Sequence, residues 1–385
     1  MKLTSKQEAG LKIAVARYKN NKAYTCIAGY AGTGKSTLIQ YIVEALDLPL
    51  ESVCYVAYTG KAAQVLRSKN CPNAITAHRL LYNSVQQKDG SFLFFPKTKI
   101  ENWSLIVVDE VSMIPKKMWE LLLSHHIHVI ACGDPFQLPP VSAESCGVLD
   151  RPHIFLDEIM RQEAESDIIR LTMDIRAGKE LQLMKTSQIK IVNRSELLKD
   201  GIYLWADQVI CGRNSTRRNI NIDLHTYLQQ TTNLEPMKGD KIICLHNEWD
   251  CANLSGDALV NGLSGVIQTI DFNYRNPFMD KTPIISFLPE GTDAFSKLEV
   301  DYSIFTTGAP TVNKENFSRI IRKYRPKQFD FGYAITAWKA QGSEWDKVLV
   351  IDEKLFKMTK EEHDKFLYTC ATRAKDKLII VKEDY

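Results

Sequence analysis

The fold is decided by one stretch of the sequence, Gly29-Tyr30-Ala31-Gly32-Thr33-Gly34-Lys35-Ser36-Thr37. It has the spacing G-x-x-x-x-G-K-[ST], follows a short apolar strand predicted at 24–28, and precedes apolar residues at helical spacing. Glycines let backbone N–H groups curl around phosphates, and the helix N-terminus adds its positive dipole end. The stretch therefore predicts a P-loop.

Within this loop the residue types suggest individual roles. Lys35 is expected to reach the β- and γ-phosphates of ATP, and Ser36 to bind Mg²⁺. We expect the other nucleotide contacts at Gly32, Thr33, Gly34 and Thr37.

A second magnesium ligand is expected at the end of a neighbouring strand. The apolar run 105–108 suits a parallel sheet that is covered on both faces, and it ends in Asp109-Glu110. Asp109 is the candidate Mg²⁺ ligand, and Glu110 the candidate general base that polarises the attacking water. Adjacent acids favour hydrolysis over nucleotide binding alone.

Two further apolar runs, 53–57 and 127–131, complete a βαβ pattern and predict an α/β fold. The second run leads into a Gly- and Pro-rich segment in which Gln137 is placed to sense a γ-phosphate. The nearby His125-His126-x-His128 is interpreted as a helix end followed by a strand, not as a metal site.

The order of these motifs resembles superfamily 1 helicases, most closely the RecD-like and phage Dda-like branch. The matching segments, motifs I, Ia, Ib, II, III, IV, V and VI, are Gly29–Thr37, Tyr58–Ala63, Thr76–Leu81, Val108–Met113, Gly133–Val141, Leu156–Gln162, Tyr333–Glu344 and Leu367–Lys375.

The resemblance implies two RecA-like P-loop motor domains with parallel sheets, a β-hairpin insertion in the first and a small SH3-like β insertion in the second. The expected boundaries are 1–82 and 100–155 for motor domain 1, 83–99 for the hairpin, 156–237 and 326–385 for motor domain 2, and 238–325 for the β insertion. The implied activity is ATP-dependent 5′→3′ translocation on single-stranded DNA with duplex unwinding.

The resemblance also implies nucleotide contacts from the second motor domain. Arg161 and Arg373 are expected to neutralise charge on the transferring phosphoryl group. Taken without its motif, either arginine would be interpreted as part of a surface salt bridge, and the motif context reverses this for Arg373. Gly342 and Glu344 are further candidates. Gln7 has two interpretations: the Thr4-Ser5-Lys6-Gln7 pattern fits a capping box, and it also resembles the glutamine that recognises adenine.

Candidate nucleic-acid contacts follow from the same motifs, without any pattern for reading base edges. Phe136 either stacks on a base or is buried. Trp338 stands where the family commonly has histidine, and it either stacks on a base or packs in the core. The remaining contacts are expected at Thr59, Gly60, Lys61, His78, Thr336 and Lys339.

The predicted hairpin supplies two more candidates. Asp89-Gly90 favours a two-residue turn, and Phe92 and Phe94 share one face of the following strand. Relatives carry a strand-separating pin here, so these rings either stack on the last base pair or anchor the hairpin. Phe95, next to Pro96, is predicted to be structural. The basic run 319–325 is either a nucleic-acid face or a solvated helix face.

Composition limits the alternatives. The chain has 385 residues, a net charge of +3 and nine cysteines without C-x₂-C spacing, which is typical of a globular protein with reduced thiols. It shows neither a signal peptide nor a transmembrane run, so we expect a cytoplasmic monomer with no membrane partner. Expected partners are single-stranded and forked DNA, with a single-strand-binding or replication protein. Alternatives are an RNA or RNA–DNA helicase, or a non-unwinding ATP-gated subunit of a recombination or replication complex.

Overall fold

The computed structural model describes residues 3–86, 92–100, 103–140, 144–160, 165–197, 202–254, 257–273, 282–311, 325–355 and 357–382. The chain divides into two compact units. Unit 1 comprises Met1–Asn83, Pro96–Gly201 and Ala340–Tyr385, and unit 2 comprises Ser84–Phe95 and Ile202–Lys339.

The strands, in chain order, are β1 (Tyr24–Gly29), β2 (Val53–Ala57), β3 (Ala74–Thr76), β4 (Tyr82–Gln86), β5 (Phe92–Pro96), β6 (Leu105–Val108), β7 (Val129–Gly133), β8 (Ile154–Leu156), β9 (Met184–Lys185), β10 (Ile189–Asn193), β11 (Gln208–Cys211), β12 (Lys241–Cys244), β13 (Glu248–Ala252), β14 (Ala258–Leu259), β15 (Ser264–Asp271), β16 (Ile284–Pro289), β17 (Phe295–Glu299), β18 (Phe329–Phe331), β19 (Ala334–Thr336), β20 (Trp345–Asp352) and β21 (Ala374–Lys382).

The helices are α1 (Ser5–Lys19), α2 (Lys35–Ala45), α3 (Gly60–Ser68), α4 (Ala77–Leu81), α5 (Lys116–Leu123), α6 (Asp167–Arg176), α7 (Arg194–Leu197), α8 (Ile202–Trp205), α9 (Asn214–Gln229), α10 (Tyr302–Thr307), α11 (Ala337–Ala340) and α12 (Lys360–Ala371). Short 3₁₀ turns lie at Leu50–Ser52 and Val111–Met113.

The N-terminal part of unit 1 is built on a parallel sheet with the strand order β3-β2-β6-β7-β1-β8. β2, β6 and β7 are buried along their whole length, because hydrophobic clusters cover both faces of the sheet. The register pairs Ala28 with Gly133 and Val56 with Val108. The carboxyl ends of β1, β6 and β7 therefore meet at one edge, where ligands of parallel sheets bind.

A second sheet lies in the C-terminal part of unit 1. β20, β21 and β10 are parallel neighbours, and the short β9 pairs antiparallel with β10. Helices α6 and α12 pack against each other beside these strands. Together the two parallel sheets confirm the predicted α/β class.

Unit 2 contains a different architecture. β17-β16-β15-β12-β18 form an antiparallel sheet, whose core includes the fully buried rings of Phe287, Phe295, Phe329 and Phe331. β13 pairs with β14, and β11 runs parallel to β19. The SH3-like character of this sheet and the predicted domain boundaries stay predictions.

The strand predicted at 127–131 starts two residues later, at Val129. His126 takes a left-handed backbone conformation (φ 56°) that ends the turn after α5, so the chain extends only beyond it. His128 contacts Thr25 Oγ1 (3.1 Å) and the Lys22 carbonyl (2.6 Å), and the described residues contain no cluster of metal-ligating side chains. All nine cysteines are free thiols.

Among the helices of the described residues, none is both long and apolar enough to cross a membrane.

Candidate functional site

The P-loop joins the carboxyl end of β1 to α2, whose first residue is Lys35. Gly34 has φ of 75°, a left-handed conformation that a side chain would strain. A Cβ atom at Gly29 would lie 2.8 Å from Thr33 Oγ1 and 2.9 Å from the Leu156 carbonyl oxygen. The loop is therefore tightly wound, and it offers backbone rather than side chains to a ligand.

Lys35 lies over this loop. Its Nζ donates to the carbonyl oxygens of Gly29 (2.9 Å) and Tyr30 (2.8 Å). The hydroxyl of the buried Thr33 donates to the same Tyr30 oxygen at 2.8 Å, which fixes the turn. Ser36, the next residue of α2, is exposed. A glycine cradle, a lysine and a helix N-terminus in one place fit the phosphates of a nucleotide.

Gln7 is buried against the P-loop. Its Oε1 accepts a hydrogen bond from the Thr4 N–H at 3.0 Å, and the Thr4 hydroxyl accepts from the Gln7 N–H, which completes the capping box of α1. Its Nε2 donates to the carbonyl oxygens of Thr33 (3.3 Å) and Gly34 (3.4 Å). The capping-box interpretation is confirmed. Adenine recognition by Gln7 stays a prediction, since both ends of the amide contact protein here.

Asp109 and Glu110 directly follow β6 at the edge that carries the P-loop. Asp109 Oδ1 accepts a hydrogen bond from the Glu110 N–H at 3.0 Å. Burial, followed by the charge of Glu110, raises the pKa of Asp109 to about 6, and the charge of Lys35 opposes this shift. A cation would stabilise the ionised carboxylate, so Asp109 and Ser36 fit the hard oxygen ligands that Mg²⁺ prefers.

Gln137 bridges the candidate base and the candidate arginine. With its amide turned so that both ends are paired, its nitrogen donates to Glu110 Oε2 and its oxygen accepts from Arg373 Nη2, each at 3.3 Å. Arg373 is buried and also donates to the carbonyl oxygens of Thr369 (3.1 Å) and Ser343 (3.3 Å). Three predicted catalytic residues from separate motifs therefore lie together within unit 1.

Two buried residues near this cluster, Asp134 and Tyr368, lie inside the matched motif segments but were not predicted to be site residues. Tyr368 on α12 donates its hydroxyl hydrogen to Asp134 Oδ2 at 2.5 Å and accepts from the Ala31 N–H of the P-loop at 2.9 Å. Burial is the main cause of the raised pKa values of both Asp134 and Tyr368. Tyr368 stands in the apolar C-terminal half of α12, where the sequence predicts a core position, so only the fold could reveal its polar partners.

Arg176 is a third residue that the sequence did not mark. Its guanidinium carbon lies 3.4 Å from the centroid of the Tyr30 ring, and that ring also contacts Phe155 edge to face at 5.3 Å. Tyr30 thus gives the P-loop an aromatic contact with α6 in addition to its backbone contacts.

The candidate nucleic-acid residues of unit 1 are less buried than the catalytic cluster. The Thr59 hydroxyl accepts from the Ala62 N–H at 3.2 Å and caps α3, on which Gly60 is the first residue. Lys61 Nζ lies 4.9 Å from the centroid of the Trp345 ring.

His78 lies between Tyr58 and Tyr82, with both ring centroids at 5.8 Å, and burial lowers its pKa. It therefore belongs to a short run of half-buried rings. Phe136 is half-buried and contacts Tyr368 edge to face at 5.2 Å, so packing accounts for at least one face of its ring.

β4 and β5 form the predicted hairpin as a two-stranded sheet. Phe94 is 44% exposed and Phe95 is 49% exposed, so about half of each ring is covered, and the structural role of Phe95 stays a prediction. Adjacent residues of a strand point to opposite faces, and here both faces leave a ring partly in solvent. The turn at Asp89-Gly90 and the side chain of Phe92 lie outside the described part of the structure.

Three further candidates lie in unit 2, around the end of β19. Thr336 is buried, and Trp338 and Lys339 are half-buried. Burial, then the charge of Arg217, lowers the pKa of Lys339. Arg217 itself pairs with Asp330 at 2.8 Å.

Gly342 and Glu344 lie in unit 1. A Cβ atom at Gly342, whose φ is 74°, would meet the Ala62 Cβ at 2.8 Å, and Glu344 is exposed. Two predicted features, Arg161 and the basic run except Arg325, fall outside the described residues. The roles assigned to the site residues from sequence stay predictions.

Comparison with known proteins gives two family matches, one in each terminal part of the chain. A family model described as AAA domain matches residues 2–196, and one described as UvrD-like helicase C-terminal domain matches residues 331–381. Over 374 residues the chain is 29% identical to the ATP-dependent RecD2 DNA helicase of Deinococcus radiodurans, covering 91% of this chain and 46% of that protein.

The ATP-dependent DNA helicase dda of Enterobacteria phage T4 is 29% identical over 191 residues, 46% of this chain and 43% of the relative. The chain thus spans less than half the length of these curated relatives.

Solved structures share the fold across the chain. A crystal structure of Pif1 helicase from Bacteroides in complex with ADP-AlF3 and single-stranded DNA superposes with a TM-score of 0.56, covering 99% of this chain and 92% of that one at 15% identity. Pif1 helicase from Candida albicans gives a TM-score of 0.53 at 18% identity, with coverage of 99% and 94%. At these identities the likeness concerns the fold.

Proposed function

Because the chain belongs to the AAA domain family and resembles the Dda and RecD2 helicases in sequence, we propose that it is an ATP-dependent DNA helicase of superfamily 1 that moves 5′→3′ on single-stranded DNA. The observation that carries the proposal is the bridge of Gln137 between Glu110 and Arg373 beside the P-loop. It unites a base, an arginine and a phosphate-binding loop in one cluster. Nucleotide binding without hydrolysis would not need the first two.

In the proposed reaction the P-loop backbone and Lys35 bind the phosphates of ATP. Asp109 and Ser36 would hold Mg²⁺, which neutralises phosphate charge when bound. Glu110 accepts the proton of the attacking water, and Gln137 keeps its carboxylate oriented through the 3.3 Å contact. Arg373 stabilises negative charge that develops on the transferring group, since a guanidinium offers several fixed donors.

Translocation requires contacts with single-stranded DNA that can be made and released. We assign them chiefly to the half-buried side chains of Thr59, Lys61, His78, Trp338 and Lys339. The hairpin of β4 and β5 is proposed to separate the strands of a fork with one of its exposed rings. Single-strand contacts of this kind are sequence-tolerant, because every base has a face for stacking.

An unwinding assay on tailed duplexes tests the proposal. We expect ATP-dependent separation of a duplex with a 5′ single-stranded tail and none with a 3′ tail. Separation of the 3′-tailed substrate alone would reverse the assigned polarity. Loss of stimulated ATP hydrolysis when RNA replaces DNA would support DNA as the track, whereas greater stimulation by RNA would overturn it.

A further inference from the structure

We propose that Tyr368 is a positioning residue that holds the P-loop in its nucleotide-binding conformation, with Asp134 as the anchor of its hydroxyl group. The inference rests on the proposed function only in naming the ligand of the loop as a nucleotide. Tyr368 acts on the P-loop through the backbone N–H of Ala31, and not through the side chains of Lys35 or Ser36.

The geometry carries the proposal. Tyr368 and Asp134 are both fully buried. The Tyr368 oxygen accepts from the Ala31 N–H at 2.9 Å and donates to Asp134 Oδ2 at 2.5 Å, while Asp134 Oδ1 accepts from the Phe136 N–H at 2.9 Å. The chain of hydrogen bonds therefore runs from the P-loop through a phenol to the loop after β7.

This arrangement fixes the loop at the place where it turns. Ala31 lies two residues after Gly29 and four before Lys35, so the plane of its peptide sets the direction of the N–H groups that follow. A phenol that donates to a carboxylate is a stronger acceptor than a free one, because successive hydrogen bonds polarise one another. Removing the hydroxyl would leave the half-buried Ala31 N–H and the buried Asp134 carboxylate oxygen without this partner, a disfavoured state that the loop relieves by moving.

The hydrolytic side of the site is held separately. The Leu138 N–H donates to Thr369 Oγ1 at 3.0 Å, and the Leu138 carbonyl accepts from Gln341 Nε2 at 2.8 Å. These contacts of Leu138, the residue after Gln137, do not include Tyr368. The Gln137 N–H donates to the Asp134 carbonyl oxygen at 3.3 Å, a backbone contact that loss of the Tyr368 hydroxyl does not remove. The loss of the Tyr368 hydroxyl should therefore weaken nucleotide binding more than it slows ATP hydrolysis in the nucleotide-bound protein.

Equilibrium binding of a fluorescent ADP, N-methylanthraniloyl-ADP, tests this. In Tyr368→Phe, which keeps the ring against Phe136, we expect the dissociation constant to rise about tenfold, the size of one buried hydrogen bond. The KM for ATP should rise in parallel, and kcat should change less than about threefold. Hydrogen–deuterium exchange in the peptide that carries Ala31 should accelerate in the nucleotide-free protein.

A double-mutant cycle separates positioning from general damage. Asp134→Asn removes both the partner of the Tyr368 hydroxyl and a negative charge that acts on Lys35, and it should weaken binding by a similar factor. The double variant should be no weaker than either single one. Tyr302→Phe is the matched control, because Tyr302 donates to Glu235 at 2.8 Å in unit 2, and it should bind like the wild type.

Two results would overturn the proposal. One is a Tyr368→Phe protein with the wild-type dissociation constant for the fluorescent ADP and the wild-type exchange rate in the Ala31 peptide. The other is a double variant whose dissociation constant rises by the product of the two single increases. If Tyr368→Phe does not fold, Asp134→Asn alone decides by the same affinity and exchange measurements. These measurements need no turnover, so they stand even if the wild-type protein fails to hydrolyse ATP and the proposed function falls.

Discussion

The nucleotide cluster of unit 1 and the candidate strand-separating hairpin, whose residues Ser84–Phe95 belong to unit 2, are built in opposite ways. Around the P-loop, Asp134, Gln137, Tyr368 and Arg373 are buried, and each is hydrogen-bonded to a group from another segment of the chain. On the hairpin, by contrast, the Phe94 ring is 44% exposed.

The difference reflects two physical demands. Stabilising charge on a transferring phosphoryl group needs donors that are already fixed before the reaction, which burial and hydrogen bonding provide. Tracking a polymer needs contacts that form and break repeatedly, and these suit exposed rings and flexible charged side chains. The two regions should therefore respond to mutation in different assays and by different amounts.

The largest effect is expected for Lys35→Ala. Loss of the ammonium removes the one P-loop side chain placed to reach the β- and γ-phosphates, and we expect DNA-stimulated ATP hydrolysis to fall about 10³-fold, the upper end of the cost of one such group. Steady-state phosphate release measures it, and DNA binding without nucleotide should persist. Lys19→Ala, at the exposed end of α1, is the control. Near wild-type turnover in Lys35→Ala would remove the P-loop assignment.

Glu110→Gln should have the next largest effect. The amide keeps the size of the side chain but cannot accept the proton of water, so we expect kcat to fall about 10²-fold, the lower end of general-base contributions. Binding of ATP should stay within a few-fold of the wild type. Single-turnover hydrolysis measures the chemical step, with Glu144→Gln, an exposed partner of Lys116, as the control. Rapid turnover in Glu110→Gln would refute the role of Glu110 as base.

Phe94→Ala should affect unwinding alone. If the ring stacks on the last base pair, its loss costs roughly 1–3 kcal/mol of stacking, and we expect unwinding of a 5′-tailed fork to slow roughly tenfold. DNA-stimulated ATP hydrolysis should stay unchanged, because the nucleotide cluster is untouched. Phe95→Ala is the matched comparison, since that ring is equally exposed on the other face of β5. Equal unwinding by Phe94→Ala and the wild type would exclude Phe94 from the pin.

The last expected effect is on the pH dependence of stability and not on activity. The pKa of Asp109 rises from its ordinary 3.8 to about 6 on folding, so its protonated form favours the folded state. This contribution is fully present below about pH 4 and is lost as the pH rises through 6.

We therefore compare the free energy of unfolding of Asp109→Asn with that of the wild type in the absence of Mg²⁺. The difference, variant minus wild type, should be more favourable to the variant at pH 8 than at pH 4, by roughly 1–3 kcal/mol at about 1.4 kcal/mol per pKa unit. Thermal unfolding at the two pH values measures it, with the exposed Asp174→Asn as the control. An identical pH dependence in Asp109→Asn and the wild type would contradict the shift.

The elements that carry the P-loop were predictable because their signals are local. The strand at Leu105–Val108 and the helix starting at Lys35 lie where apolar spacing and the glycine motif predicted them. The start of β7 could not be predicted in this way. The left-handed backbone conformation of His126 moves the first strand residue to Val129, and a pattern of apolar residues does not reveal such a turn. The exposure of Phe95 could not be predicted either, because no local pattern tells which face of a hairpin is covered.

Sequence order alone specified the P-loop, the acidic pair after β6 and the family to which the chain belongs. Each is written in contiguous residues whose backbone preferences and side-chain chemistry are local. The folded chain decided how they combine: Gln137 between Glu110 and Arg373, and Tyr368 between Ala31 and Asp134. Tyr368 is more than two hundred residues from Ala31 and Asp134 in sequence, and Arg373 is equally far from Gln137. Only the pairing of parallel strands and the packing of α12 bring these atoms within hydrogen-bonding distance.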